Sequence, residues 1–351
     1  PNYFRNNQQN SAEERKKMTP WPLFNEYMLI LDSIWEFIEG LIPSVRDPNR
    51  TYERKPGGGR KRTDNRILFN TILYALLTSG QWNSIFPDQY GYLCRGKTAH
   101  KWFMIWGKNN FFEKVFKLIL KLYEIHCGLD IKWVSIDGTL YKAPLATEVV
   151  GKNPTDRGKN GTKRSLCVDK NGIILSMVHD GANVHDCKLL EPTLSLLKDI
   201  IPEGTEVHVC LDAGYTGYEE LVKSFGFIPH IRPRGEEKKL KEKDPNFEPK
   251  RWVVEVAHSH MNQFRRLKIR YEKLGDSHEE LSYFAAAIMT IRTIFRSELG
   301  EDSIWYNKNA TRKGKPKRNR PIDFEKYTSL GKELLEESRK NNIIDNSTNA
   351  A

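Results

Sequence analysis

Lys163-Arg-Ser-Leu-Cys-Val168, Asp169-Lys-Asn-Gly172 and Ile173-Ile-Leu-Ser-Met-Val178 read together as a β-hairpin. Two β-branched, apolar runs flank residue types that reverse a chain tightly. Just upstream, Lys132-Trp-Val-Ser-Ile136 is a third strand candidate, so an antiparallel meander opens the region from residue 129. Working outward, the pattern predicts a helix from Asp186 to Leu197 and a strand from Glu206 to Leu211. A further strand falls near Phe227 to Ile231, and a long amphipathic helical region covers 252–296. The order β-β-β-α-β-(α)-β-α defines an α/β chain with a mixed sheet. It is neither the strict alternation of a doubly wound fold nor a sandwich.

On the amino-terminal side the periodicity is helical over 21–45 and 63–126. Asp64 or Thr63 can cap a helix carrying Ile67, Leu68, Ile72, Ala75 and Leu76, which stops near Ser79-Gly80. Trp82 to Ile85 reads as a short second helix, and Thr98 can cap a third through Trp102, Phe103 and Trp106. A fourth runs from Phe111 to His126. Short helices joined by Gly/Pro turns suggest a helix-turn-helix-like unit, with a plain helical bundle as the alternative. The expected divisions are a flexible arm over 1–20, a helical domain over 21–128 with a basic linker at 46–62, a mixed α/β domain over 129–297, and a basic, disordered tail over 298–351.

Charge is clumped. Arg50 to Arg62 carries six positive residues and one acid around Gly57–Gly59, and Lys308 to Arg320 carries seven positives and no acid. The whole chain of 351 residues holds 56 Lys+Arg against 45 Asp+Glu, a net charge of +11 that points to a polyanionic partner. No stretch is long and apolar enough to cross a bilayer, which argues against a membrane protein. Five scattered cysteines without a Cys-x-x-Cys pair argue against a disulfide framework or a cysteine-rich zinc site, and fit a reducing compartment.

Asp137 follows Val134-Ser-Ile136 and precedes Gly138; Asp212 follows Val207 to Leu211 and precedes Ala213-Gly214. Ligands collect at the carboxyl ends of strands in open α/β sheets, so two strands ending in aspartate make a candidate paired-carboxylate site. Strand-end Asp-Gly is also an ordinary turn, and that alternative stays open. Glu255 is the third acid, set among Trp252, Val256 and Ser259, on or beside a buried face. An ion pair with Arg251 is one explanation and a metal-bound carboxylate the other. Oxygen ligands alone suit Mg²⁺ or Mn²⁺ rather than zinc. Two such ions suit in-line displacement at phosphorus, with Arg265, Arg266, Lys268 and Arg270 on the phosphates. Asp180, Asp186 and Glu272 are the reserve candidates should Glu255 prove structural.

At these residues the chain resembles a DDE transposase of the insertion-sequence-five family, within the insertion-sequence-four-like superfamily. The matching pieces are Ser-Ile-Asp137-Gly-Thr, Gly151 to Arg164, Gly181-Ala-Asn-Val-His185-Asp186, Leu-Asp212-Ala-Gly-Tyr215 and Arg251-Trp-Val-Val-Glu255, spread over about residues 60–296. The resemblance implies an RNase H-like catalytic domain with Asp137, Asp212 and Glu255 as the metal-binding triad. Sister families carry Tyr-x2-Arg-x3-Glu-x6-Lys around the last acid; here Arg251 and Glu255 match, while Glu248 and Asn262 replace the Tyr and Lys. It further implies double-stranded DNA as partner, with Arg251 and the loop of Lys163 and Arg164 on it, although Lys163 and Arg164 are equally ordinary strand-edge charges; charge placement alone adds Arg60, Lys61, Arg62, Lys97, Lys101, Arg265, Arg266 and Arg270 as DNA contacts. His185 is either a donor near the metals or the cap of the helix at Asp186. The implied activity is cleavage at the inverted-repeat ends of an insertion sequence and joining of the 3′-hydroxyls to target DNA. A homodimer pairing the two ends, in a bacterial-type cytoplasm near the nucleoid, follows from the same resemblance. A transposase-derived DNA-binding protein and a nuclease without strand transfer are the rival readings.

Overall fold

The computed structural model describes residues 32–43, 62–89, 91–232 and 252–299. The arm over 1–20, the linker except Arg62, and the tail beyond 299 lie outside the described residues, and with them Arg60, Lys61 and Arg251.

Among the described residues the sheet has six strands, five of them main ones: β1 (Trp133–Lys142), β2 (Asn160–Val168), β3 (Ile174–Gly181), β4 (His208–Asp212) and β5 (Ile228–Arg232). β1, β2 and β3 pair antiparallel, β4 runs parallel to β1, and β5 parallel to β4, giving the order β3-β2-β1-β4-β5. The two-residue strand Gly151–Lys152 extends the outer edge of β2 beyond β3. This meander followed by parallel strands is the RNase H-like mixed sheet.

The hairpin turn forms because Asp169 Oδ1 accepts the N–H of Asn171 and of Ile173, at 2.8 Å each, and Gly172 takes φ +81°. β1 is longer than the strand-end reading of Asp137-Gly138 allows. It continues to Lys142 because every residue from Ser135 onward finds a partner on β2. Asp137 therefore sits within a strand, whereas Asp212 is the last residue of its own.

Alternation along the strands separates two faces. Asp137, Thr139 and Tyr141 share one face with Leu166, Arg164 and Thr162, their register partners on β2. The other face is covered by helix Asp186–Lys198, where Ser176 Oγ donates to the Thr193 carbonyl at 3.0 Å. The region 252–296 is not one helix. It divides into Trp252–Gln263, a single turn Arg265–Lys268 and Gly275–Leu299, with Ile269 bridged to Lys142 between them.

The amino-terminal helices are α1 (Asp32–Glu39), α2 (Asn65–Thr78), α3 (Gly96–Gly107) and α4 (Phe111–Cys127). Asp64 caps α2, accepting from the N–H of Arg66 at 2.8 Å. Arg95, not Thr98, occupies the cap position of α3, so Thr98 lies inside its first turn. In chain order the remaining helices are α5 (Asp186–Lys198), α6 (Glu219–Ser224), α7 (Trp252–Gln263), α8 (Arg265–Lys268) and α9 (Gly275–Leu299). Phe284 of α9 packs its ring 4.8 Å from Phe69 of α2 and 4.8 Å from Phe112 of α4. The amino-terminal helices and the last helix thus share one apolar core. Arg266 reinforces the junction. Its Nε pairs with Glu272 at 2.6 Å, its Nη1 donates to the Gly80 carbonyl at 2.8 Å, and its guanidinium lies 4.5 Å from the Trp82 ring.

Candidate active site

The pairing of β1 with β4 sets Ser135 opposite Cys210. Two residues beyond that last pair lie Asp137 on β1 and Asp212 on β4, neighbouring parallel strands spaced about 4.8 Å apart. Each carboxylate is oriented by a nearby backbone N–H: Gly138 donates to Asp137 Oδ1 within β1, and Gly214 to Asp212 Oδ1 in the turn after β4, both at 2.8 Å. The Asp212 bond also shapes the turn Ala213–Tyr215, which buries the Tyr215 ring. Burial pushes the Tyr215 phenol well up, and the charges of Asp186, Asp137 and Asp212 push it further the same way. Three carboxylates therefore act on one buried hydroxyl.

Asp186 reaches this locus from the opposite face. A Cβ on Gly138 would collide with its carboxylate, so glycine is required where α5 approaches β1. Lys163, only 7% exposed in its side chain, places Nζ 3.1 Å from Asp186 Oδ1 and donates to the Val184 carbonyl at 2.6 Å. His185 accepts from the Cys187 N–H at 3.4 Å, and in this structure it caps α5.

Glu255 stands in the first turn of α7 and is exposed rather than on a buried face. Val253, Val254, Ala257, His258 and Met261 take the inward side. One turn after it, His258 Nε2 lies 3.2 Å from the Asp137 carbonyl oxygen. α7 is thereby bonded to the strand of the first aspartate. Asp137, Asp212 and Glu255 offer only oxygen donors, the set a hard divalent cation takes. Among the described residues, no three acidic, imidazole or thiol side chains are already gathered to ligate a metal ion.

The basic residues divide sharply. Lys97 and Lys101 are exposed one turn apart on α3, Arg265 is exposed on α8, and exposed Arg62 lies 3.8 Å over the Trp102 ring. Lys163, Arg164, Arg266 and Arg270 are instead turned inward, against the expectation of phosphate contacts. Arg164 and Arg270 are 0% exposed and Arg266 is 5% exposed. The physical reason is that each has a protein partner. Arg270 donates to the carbonyls of Val149 and Glu148 at 2.8 Å, Arg266 to Glu272, and Arg164 faces His258 and Asn262. Of the reserve acids, Glu272 is bound to Arg266, and Asp180 accepts from the Gly181 N–H at 2.6 Å.

Sequence reasoning missed Tyr215 and His258. The available signal for His258 was an imidazole among inward apolar positions, three residues after Glu255.

Residues 129–290 match the family model described as "Transposase DDE domain", and residues 30–116 one described as "Putative transposase of IS4/5 family". A Burkholderia cepacia protein described as "Putative transposase for insertion sequence element IS402" is 31% identical over 157 residues, covering 42% of this chain and 71% of that protein. The chain belongs to the DDE transposases of the IS4/5 type, and is a DNA-cleaving and DNA-transferring enzyme. Among solved structures, the catalytic domain of Mos1 mariner transposase is 9% identical, with a TM-score of 0.22 over 44% of this chain and 90% of that one. The Mos1 strand transfer complex is 10% identical, with a TM-score of 0.23 over 63% of this chain and 80% of that one. At such scores the fold rests on its own strand order. Family membership implies divalent-metal dependence in general terms and DNA as the partner. Among the described residues no helix is long and apolar enough to cross a membrane.

Proposed function

We propose that the chain cuts DNA at the inverted-repeat ends of its own insertion sequence and joins the resulting 3′-hydroxyls to target DNA. The observation that carries this reading is the β1–β4 register, which supports a side-by-side pair of Asp137 and Asp212 next to the helix of Glu255. These three carboxylates would hold Mg²⁺ or Mn²⁺, two ions by the chemistry required. When bound, such ions activate the attacking oxygen and stabilise the leaving oxygen of an in-line displacement at phosphorus.

The chain's own residues do the rest. The Gly138 and Gly214 amides keep the two aspartates from rotating out of line. Lys97, Lys101, Arg62 and Arg265 present positive charge to phosphates without reading bases. Two copies of the chain bring the two ends together.

The test pairs cleavage with end binding. Asp137→Asn, Asp212→Asn and Glu255→Gln should each abolish Mg²⁺-dependent cleavage of DNA carrying the element ends, with gel-shift binding retained. The double variants should be no worse, since groups acting as a unit fail as a unit. Full cleavage in excess chelator, or by any one variant, would falsify the reading.

A further inference from the structure

His258 makes two polar contacts, and both dictate the same state of its ring. Nε2 is 3.2 Å from the carbonyl oxygen of Asp137, which can only accept, so Nε2 carries the proton. Nδ1 is 3.4 Å from Arg164 Nη2, which can only donate, so Nδ1 presents its lone pair. Arg164 is held in turn by Asn262 Oδ1 at 3.5 Å, one turn further along α7, and by the Tyr141 ring 5.5 Å away. A guanidinium on β2, two positions on the same helix and the carbonyl of Asp137 on β1 form one connected chain. A protonated ring would drive an N–H against the guanidinium.

We infer that His258, locked by Arg164 as the neutral Nε2–H tautomer, is a positioning residue that sets the helix of Glu255 against the strand of Asp137. The inference rests on the reading of those acids as one site. His258 touches no substrate. It acts through the backbone of Asp137 and through Glu255, one turn away on a rigid helix. Arg164 supplies the fixed charge that a DNA-facing arginine would otherwise have offered to phosphate. Outer residues that orient metal-binding groups typically alter metal affinity when replaced.

The full chain is tested with Mn²⁺ as the probe. Phe at 258 fills the ring's volume without a donor. Gln offers an N–H to the Asp137 carbonyl and an oxygen to Arg164, in the same sense as the tautomer. His258→Phe should weaken calorimetric Mn²⁺ binding, and raise the Mg²⁺ needed for half-maximal cleavage, by about tenfold or more. His258→Gln should recover most of both. In the unmutated chain, ¹⁵N ring signals lost in His258→Gln should report the Nε2–H tautomer, a readout that needs no Phe variant to fold. Equal impairment by Phe and Gln overturns the inference, as does undiminished Mn²⁺ affinity in His258→Phe or an Nδ1–H tautomer. Asp137→Asn serves as the parallel control. If it leaves Mn²⁺ binding unchanged, the site itself is misread and the inference falls with it. If it abolishes binding while His258→Phe does not, only the role of His258 falls.

Discussion

Glu280 should make the fold less stable as pH rises, and Glu280→Gln should reverse that. Its side chain projects from α9 to the start of α4, where Oε2 accepts the Phe112 N–H at 2.9 Å, and the residue is 5% exposed. α4 lacks a side-chain cap of its own, because Asn110 stands in the left-handed region without such a bond. Burial pushes the Glu280 carboxyl from 4.5 up to about 8, with Glu113 and Glu279 adding to the rise and the Phe112 N–H opposing it. The folded chain therefore holds a proton that the unfolded chain releases near 4.5. Stability is full below that pH, declines through the window up to about 8, and levels off above it. The gap corresponds to an order of about 3 kcal/mol at pH 7 and about 5 kcal/mol at pH 9, as ceilings. Gln keeps an acceptor for Phe112 and has nothing to titrate. Urea melts followed by circular dichroism at pH 5, 7 and 9 should show a gain for Glu280→Gln that grows with pH, alongside a loss for Glu280→Ala at pH 5. A gain independent of pH, or destabilisation by Gln at pH 9, would sink the argument.

Arg266→Met should cost about 3–5 kcal/mol, because it strands Glu272 in a pair whose side chains are each 6% exposed. The double variant Arg266→Met/Glu272→Met should regain most of that in the same urea melts, and strictly additive losses would refute the coupling. Lys97→Gln/Lys101→Gln should lower affinity for any duplex and flatten the log–log salt dependence by roughly 2, at about 0.9 per phosphate. An unchanged slope would show that this face of α3 meets no DNA.

The parts of the fold visible in the sequence were those decided locally. The hairpin at Asp169–Gly172 follows from side-chain-to-backbone bonds within four residues, and Asp64 caps α2 by the same kind of contact. Strand partners supplied the rest. Asp137-Gly138 has the composition of a turn, yet β2 pairs with it residue by residue and keeps it extended. Burial of basic residues was likewise hidden: Arg270 is drawn inward by carbonyls more than a hundred positions earlier in the chain. The acids that the motifs brought out, Asp137 and Asp212, lie on neighbouring strands, whereas the groups around them, Asp186, Tyr215 and His258, arrive from three other elements. Their arrival depends on tertiary packing that no local pattern carries.

Phe69 and Phe112 lie early in the chain and meet Phe284 only near its end. On the ribosome, then, the amino-terminal helices emerge first and wait with an open apolar seam until the whole sheet and α9 have been made. A product truncated before α9 lacks the ring that closes the seam. A broken message should yield an incompletely folded species exposed to proteolysis, rather than a fragment that occupies DNA without cutting it.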